Sequence, residues 1–183
     1  MALFDFPTLH TTRLTLRPVQ VADLPALLLT NGDDTVTRFL PYTTWAGLDD
    51  ANAWLHRMQA LETGASGRQL VLALNDTGAV VGTLLIFKFD AASQRAEIGY
   101  VLGRAHWGCG LMQEALRAAC SQALGPSGLR RLEAEVDTNN AASNTLLQRL
   151  GFTREGTLRQ RWVGKGRTYD THLYGLLAGE LSA

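Results

Sequence analysis

The amino-acid sequence predicts a mixed α/β (α+β) fold, with one mostly antiparallel sheet of about seven strands flanked by about four helices. Three strand-like segments, at 68–74, 80–89 and 96–102, follow one another without a helix between them. Successive strands joined by short turns pair antiparallel. Helical patterns separate the other strands except for the final pair, which gives the order β-α-α-β-β-β-α-β-α-β-β. The length of 183 residues suits a single domain, predicted to span 1–183.

The first elements follow from side-chain alternation and from helix boundary residues. Residues 13–17 alternate polar and apolar side chains, which is typical of a strand. Asp23 can cap a first helix, and Asp49 can open a second helix that ends at Gly64. Residues 35–45, between these helices, show no periodic pattern and are predicted to be irregular.

The later elements follow from the same signals. A turn-rich segment at 75–78 joins the second and third strands into a hairpin. The elements after the fourth strand are a helix from 112 to 123, a strand at 131–137, a short helix capped by Asn139 or Asn140 that ends at 150–151, and a final strand pair at 152–161 and 169–177.

A short loop with two glycines leads from the fourth strand into the third helix. Gly108 and Gly110 stand just before the helical apolar pattern of Met112, Ala115, Leu116, Ala119, Cys120 and Ala123. The first N–H groups of a helix have no intrahelical partner, and the helix dipole adds positive charge there. The loop therefore predicts a diphosphate-binding site. The alternative is a tight turn in which the glycines serve only the backbone conformation.

Composition and charge exclude several classes of protein. Lys+Arg and Asp+Glu are equal at 17 each, so no basic excess indicates a nucleic-acid partner. No apolar run approaches the roughly 18 residues of a membrane span. The two cysteines and the absence of a basic signal region predict a cytoplasmic protein. The four histidines are scattered, so no metal site is predicted.

Several short motifs stand in a characteristic order along nearly the whole chain. They are Thr-Thr-Arg-Leu-Thr-Leu-Arg-Pro at 11–18, Glu-Ile-Gly-Tyr at 97–100, Trp107-Gly108-x-Gly110, Asn140-x-x-Ser143, Gly151-Phe152, Glu155-Gly156 and Asp170. Together with the element order, they resemble the GNAT superfamily of acyl-CoA-dependent N-acetyltransferases. The sequence is most similar to its branch of ribosomal-protein N-terminal acetyltransferases.

The resemblance implies how acetyl-CoA, the co-substrate, is bound. In this family the fourth and fifth strands part in a V-shaped splay that holds the pantetheine arm. By that match the arm pairs with the backbone near Tyr100, Val101 and Leu102, and contacts Asn140. The diphosphate lies on the amides of Trp107, Gly108, Cys109, Gly110, Leu111 and Met112. The family usually has Gly or Ala at the last of these positions, so the bulky Met112 side chain must point away from the diphosphate.

The resemblance also implies candidate catalytic residues. Acetyl transfer to an amine needs a base to take a proton from nitrogen and an acid to assist the leaving thiolate. Glu135 matches the family's catalytic glutamate, Glu97 is the second candidate base, and Ser143 matches the proposed acid. Glu135 belongs to an alternating acidic row that is often only a solvated face. Glu97 can alternatively pair with an arginine across the sheet.

The acceptor site is predicted from family layout alone. Phe39, Tyr42 and Trp45 are expected to form one wall, and Trp162, Tyr169 and Asp170 are comparable candidates for the far wall. The resembled branch implies a protein N-terminal α-amine as acceptor, by direct transfer in a ternary complex. A small amine such as an amino acid, polyamine or antibiotic is the alternative, and a non-catalytic acyl-CoA-binding module is a further one. Dimers are common in this branch, so a homodimer is kept open.

Overall fold

One eight-stranded sheet organises the chain in the computed structural model, which describes residues 6–182. The strand order is β1-β2-β3-β4-β5-β6-β8-β7, and only β5 and β6 pair in parallel within the described residues. The strands are β1 Leu9–His10, β2 Leu14–Pro18, β3 Gly67–Leu74, β4 Val80–Asp90, β5 Arg95–Leu102, β6 Arg131–Asp137, β7 Thr153–Gly164 and β8 Arg167–Leu177. The predicted mixed, mostly antiparallel fold class is confirmed.

Five α-helices accompany the sheet in the part of the chain that the structure describes. They are α1 Leu24–Asn31, α2 Asp34–Thr37, α3 Leu48–Thr63, α4 Leu111–Leu124 and α5 Ala141–Arg149. Helix α2 was not predicted and interrupts the segment expected to be irregular, where the Asp33 side chain accepts a hydrogen bond from the Thr35 amide at 2.7 Å. Strand β1 was not predicted either. Both elements are too short to show a periodic pattern. The structure therefore has one strand more than the predicted seven and one α-helix more than the predicted four among the described residues.

Across residues 6–182, none of the helices combines the length and the apolar character that a membrane crossing requires.

Strands β5 and β6 part after three residue pairs. Arg95, Ala96 and Glu97 lie opposite Arg131, Leu132 and Glu133, and no later residues of the two strands are paired. Further along β5, the Gly103 amide donates to the Val81 carbonyl at 2.8 Å. Because backbone groups alternate sides in an antiparallel ladder, those of Tyr100 and Leu102 point into the opening. The predicted V-shaped splay is confirmed, although the backbone groups of Val101 point toward β4 instead.

Two hydrophobic clusters lie against the sheet. The larger one packs the apolar face of α4, with Leu116 and Cys120 fully buried, against β3 to β6. Burial raises the pKa of the Cys120 thiol to about 12, as expected for a core cysteine. The smaller cluster joins α1 and α3 to Val71 of β3.

Trp45 belongs to the smaller cluster. It is 5% exposed, and its ring centroid lies 5.6 Å from that of Trp54. Trp45 thus packs in the core, and its part in the acceptor site stays a prediction. Its segment is aperiodic, so the sequence gives no signal that separates core from surface there.

Candidate active site

The loop before α4 presents an uncapped helix start. Gly108 and Gly110 adopt positive φ angles of 73° and 76°, a region that favours glycine. Gly110 is the N-cap residue of α4 and offers no side chain to the first amides. Residues 107–110 are exposed, while the Met112 side chain packs into the core at 7% exposure. The amides of residues 111–113 thus have no side-chain cap and can hold an anion, whereas the Glu114 amide already donates to the Gly110 carbonyl at 3.1 Å.

A polar brace that sequence reasoning missed fixes this loop to β2. The Arg13 Nη1 donates to the Cys109 carbonyl at 2.8 Å, and its Nε lies 2.7 Å from Glu114 Oε2. Thr11 Oγ1 donates to Glu114 Oε1 at 2.6 Å. Burial opposes ionisation of Glu114, but these hydrogen bonds outweigh it and hold its pKa below the ordinary value. The partners are about a hundred positions apart, so no local pattern could indicate the brace.

The side chains at the mouth of the splay bond across it. The Tyr100 hydroxyl on β5 lies 2.6 Å from Ser143 Oγ on α5. Asn140 caps α5, because its Oδ1 accepts from the Ser143 amide at 3.2 Å. The Trp107 indole N–H donates to the Leu102 carbonyl at 2.7 Å. Four predicted cofactor-site residues, Tyr100, Leu102, Trp107 and Asn140, and the predicted acid therefore lie around one opening.

Burial raises the pKa of Tyr100 well above its ordinary value, more than its hydrogen bond to Ser143 lowers it. Its hydroxyl therefore stays protonated at neutral pH and can donate to Ser143 Oγ. Sequence reasoning gave Tyr100 a backbone role only.

Glu135 of β6 is held by three donors on a single oxygen. Its Oε1 accepts from Trp162 Nε1 at 2.5 Å, from Thr171 Oγ1 at 2.7 Å and from Arg161 Nε at 3.3 Å. The side chain is 9% exposed. Oε2 receives no hydrogen bond from the described residues, so it can accept a proton or a water molecule.

The acidic row on β6 is not a solvated face. Glu133 lies 2.9 Å from Arg95, and Asp137 Oδ2 accepts from Arg167 Nη2 at 2.7 Å. The Asp137 side chain is only 1% exposed. Each carboxylate of the row is paired with an arginine, which alternation alone could not indicate.

Glu97 lies on β5 just where the strands part. Its Oε2 accepts from Lys88 Nζ at 2.7 Å, so its partner is a lysine and not the arginine that was expected. Burial raises the pKa of Glu97, the Lys88 pair opposes this, and the negative charges of Glu135 and Glu133 add to the rise. Glu97 therefore binds a proton more readily than an ordinary glutamate and stays a candidate base.

Two cavities lie between the segment 34–44 and the turn that joins β7 to β8. The larger, of about 570 Å³, is lined by Asp34, Arg38, Phe39, Thr44, Asn139, Lys165 and Arg167. The smaller, of about 230 Å³, is lined by Arg38, Phe39, Leu40, Pro41, Tyr42, Thr43, Gly164, Lys165, Arg167 and Tyr169. Of the predicted aromatic residues, these cavities bring together Phe39, Tyr42 and Tyr169. The three cations were missed, since isolated basic residues in turns carry no sequence signal.

Two other candidates for the far wall have different partners. The Trp162 indole binds Glu135, as described above. Asp170 Oδ1 accepts from the Gln160 amide at 2.7 Å, where β7 bulges and Gln160 has a positive φ of 48°. The contacts of Asp170 thus support the hairpin backbone.

The parted strands and the glycine loop lie within the region matched by a family model described as Acetyltransferase (GNAT) domain, which covers residues 13–153. This chain belongs to the GNAT acetyltransferase family. The match includes the loop at 107–112, both candidate bases and Ser143.

Individual relatives extend the similarity of this GNAT acetyltransferase to nearly its whole length. It is 34% identical over 173 residues to "Uncharacterized N-acetyltransferase p20" of Bacillus licheniformis, covering 94% of this chain and 97% of that protein. The crystal structure of a probable acetyltransferase (GNAT family) from Chromobacterium violaceum superposes with a TM-score of 0.85 at 32% identity, covering 94% of this chain and 87% of that one.

A more distant relative has a named acceptor. The "Ribosomal-protein-serine acetyltransferase" of Escherichia coli (strain K12) is 30% identical over 95 residues, which is 52% of this chain and 53% of that protein. The family model and the full-length relative confirm the predicted GNAT family and the predicted class of N-acetyltransferase.

Proposed function

We propose that this GNAT acetyltransferase transfers the acetyl group of acetyl-CoA to the α-amine at a protein N-terminus. The uncapped start of α4 beside the parted strands is the observation that carries the donor half of this proposal. The E. coli relative, whose name specifies a ribosomal-protein serine, supports the acceptor half.

The donor fits the residues present. Gly108 has nothing within 4 Å of the position a Cβ would take, so a diphosphate can approach the backbone there. The backbone groups of Tyr100 and Leu102 point into the splay, where an extended amide-bearing chain can pair with them. In this proposal the thioester of acetyl-CoA lies between Ser143 and Glu135.

The reaction is a direct transfer in a ternary complex. The amine nitrogen attacks the thioester carbon, a nitrogen–carbon bond forms, and the carbon–sulfur bond breaks. Glu135 Oε2, directly or through water, takes one proton from nitrogen. Ser143, which receives a hydrogen bond from Tyr100, supplies one proton to the sulfur, and water returns a proton from Glu135 to Ser143.

Turnover against a panel of acceptors tests the proposal. Thiol release from acetyl-CoA is measured with peptides that carry a free α-amine, with the same peptides blocked at that amine, and with free amino acids, polyamines and aminoglycosides. We expect turnover with free-amine peptides and none with blocked ones. Turnover confined to small amines contradicts the acceptor, and thiol release by none of these acceptors contradicts the enzyme mechanism.

The Cys109→Ser variant serves as the control for direct transfer. Cys109 is exposed in the phosphate loop, and its thiol contacts only the Trp107 carbonyl, at 3.4 Å, among the described residues. We expect unchanged turnover, since no acyl-cysteine forms. Abolished turnover contradicts direct transfer.

A further inference from the structure

The two cavities beside the β7–β8 hairpin share a cationic wall. Arg38 from the end of α2, and Lys165 and Arg167 from the hairpin turn, line both of them. Within residues 6–182, Asp34 is the single carboxylate residue that lines the larger cavity, and none lines the smaller. A volume of about 570 Å³ lies within the range of roughly 300–1,000 Å³ that is typical of ligand sites.

The positive charge of this wall is only partly neutralised. Arg167 donates a hydrogen bond from one of its nitrogens to Asp137. Lys165 Nζ donates a hydrogen bond to the Thr37 carbonyl, which carries no formal charge. Among residues 6–182, no carboxylate lies within 4.0 Å of the Arg38 guanidinium, which stacks over the Phe39 ring at 5.1 Å. Arg38 therefore has its five donors available to a ligand.

The surroundings of Lys165 compensate its charge only in part. Burial lowers the pKa of Lys165, the charge of Asp34 opposes this, and the smaller effect of Arg167 adds to the lowering. A bound anion supplies the partly buried ammonium with a further partner of opposite charge, whereas a bound cation does not.

The wall lies next to the proposed base. Asp137, which Arg167 binds, is two residues from Glu135 on the same face of β6. Tyr169 lines the smaller cavity and lies opposite Trp162, whose indole donates to Glu135. An acceptor whose amine is at Glu135 therefore extends its next groups toward Arg38, Lys165 and Arg167.

We propose that this wall, defined by Arg38, Lys165 and Arg167, selects acceptors that carry a carboxylate within a few bonds or residues of the reacting amine. The inference rests on the proposed function and specifies its acceptor class. Arginine binds carboxylates through paired hydrogen bonds, and like charges repel, so polyamines are disfavoured. The carboxylate can belong to an acidic side chain near a peptide N-terminus or to the α-carboxyl of a small amino acid.

Matched pairs of acceptors distinguish these two sources of the carboxylate. The first arm uses C-terminally amidated tetrapeptides that differ only by glutamate or glutamine at the second, third or fourth position. The second arm compares free amino acids with their amides. For each acceptor, kcat/KM is measured by thiol release, and Kd is measured by calorimetry on the protein saturated with CoA.

We expect one glutamate peptide, or the free amino acids over their amides, to be favoured roughly tenfold in both kcat/KM and Kd. Arg38→Gln should remove most of this preference, and Arg38→Glu should reverse it toward the glutamine peptides or the amino-acid amides. Arg149→Gln, which removes an exposed charge on α5 away from both cavities, should keep it.

If each carboxylate acceptor and its neutral partner show equal kcat/KM and equal Kd, the proposed selection by the cationic wall is overturned. Turnover of these acceptors would still support the proposed acetyl transfer. If no acceptor is acetylated, the proposed function fails. The Kd values then still test whether the cationic wall prefers carboxylate ligands. Tighter binding of carboxylate acceptors then supports it, and equal binding overturns it. A preference unchanged by either Arg38 variant also overturns the assignment.

Discussion

Glu135 and Glu97 are both acidic side chains near the parted strands, but their surroundings give them different chemistry. Glu135 has three donors on one oxygen and a second oxygen without a hydrogen bond from the described residues. Glu97 is paired with Lys88, which occupies one of its oxygens. The contacts of Glu135 with Trp162 and Thr171 hold its carboxylate in one orientation, so we keep it as the first proposed base.

Replacement of Glu135 tests this role at the level of one residue. We expect Glu135→Gln to lower kcat by roughly 10²–10⁴-fold, because the amide cannot take the proton, with acetyl-CoA affinity nearly unchanged. Steady-state thiol release and calorimetry provide the two readouts. Glu133→Gln, two residues away on the same face of β6, is the control and should keep most activity, since its partly exposed ion pairs contribute little. Equal losses in both variants would remove Glu135 from the chemistry.

Individual residues of the site were predictable only where a local motif marks them. Gly108, Gly110 and Asn140 stand at turns and caps, and the structure has them there. The contacts of Arg13 join distant segments, and Arg38 lines the cavities together with Lys165 and Arg167 of the distant hairpin, which no single-sequence pattern reports.

At the level of elements, the start of α4 determines where an anion can bind. Its N-cap is a glycine with positive φ, so the first amides of α4 depend on water or a ligand for partners. The core positions of Met112 and Leu111 keep their side chains out of the way. The same 14-residue helix thus packs the core with one face and presents its N-terminus to the cleft.

A valine at Gly110 should disrupt this arrangement. The positive φ is unfavourable for a β-branched residue, and a Cβ would lie 3.5 Å from Arg13 Nη2. We expect Gly110→Val to weaken CoA binding roughly tenfold or more by calorimetry, as the loop backbone moves. Gly78→Val, at a φ of 72° in the open turn between β3 and β4, carries the same strain far from the cleft and should bind CoA normally. Undiminished affinity in Gly110→Val would count against the loop as the diphosphate site.

The elements that the sequence predicted best are long and periodic. Helices α3 and α4 and strands β3 to β5 lie within one to two residues of their expected bounds, because their apolar stripes and alternation extend over several turns or pairs. Helix α2 and strand β1 have four and two residues, too few for any period. The sequence did not assign Trp45 to the core for the related reason that its segment has no repeating pattern to assign a face.

At the scale of the whole molecule, the brace from Thr11 and Arg13 to Glu114 joins the beginning of the chain to its centre. The hydrogen-bonded partners are separated by 101 to 103 positions. It secures β2 to α4 and thereby links the first strands to the helix that supports the cleft.

The brace should make part of the global stability depend on pH. The folded-state pKa of Glu114 is lowered, so its stabilisation is present above the unfolded value of about 4.3 and is lost as the pH falls through the folded value. We expect Glu114→Gln to reduce the free energy of unfolding by about 1–2 kcal/mol at pH 7 and by less as the pH falls below about 4. Urea unfolding of the Glu114→Gln variant and of the unmodified protein, at pH 7 and again below about pH 4, measures this difference. Asp76→Asn, in an exposed turn, is the control. An equal loss at both values would contradict it.

The position of β7 at the outer edge of the sheet has a consequence for self-assembly into aggregates. A long unpaired strand edge is a template for other chains, and β7 has 12 residues, whereas β1 at the opposite edge has two. Two register shifts interrupt β7, and it carries Arg154, Glu155, Arg159 and Arg161. These bulges and charges are the features by which natural proteins block edge-to-edge polymerisation, so the hairpin that borders the two cavities also protects the protein from forming intermolecular sheets.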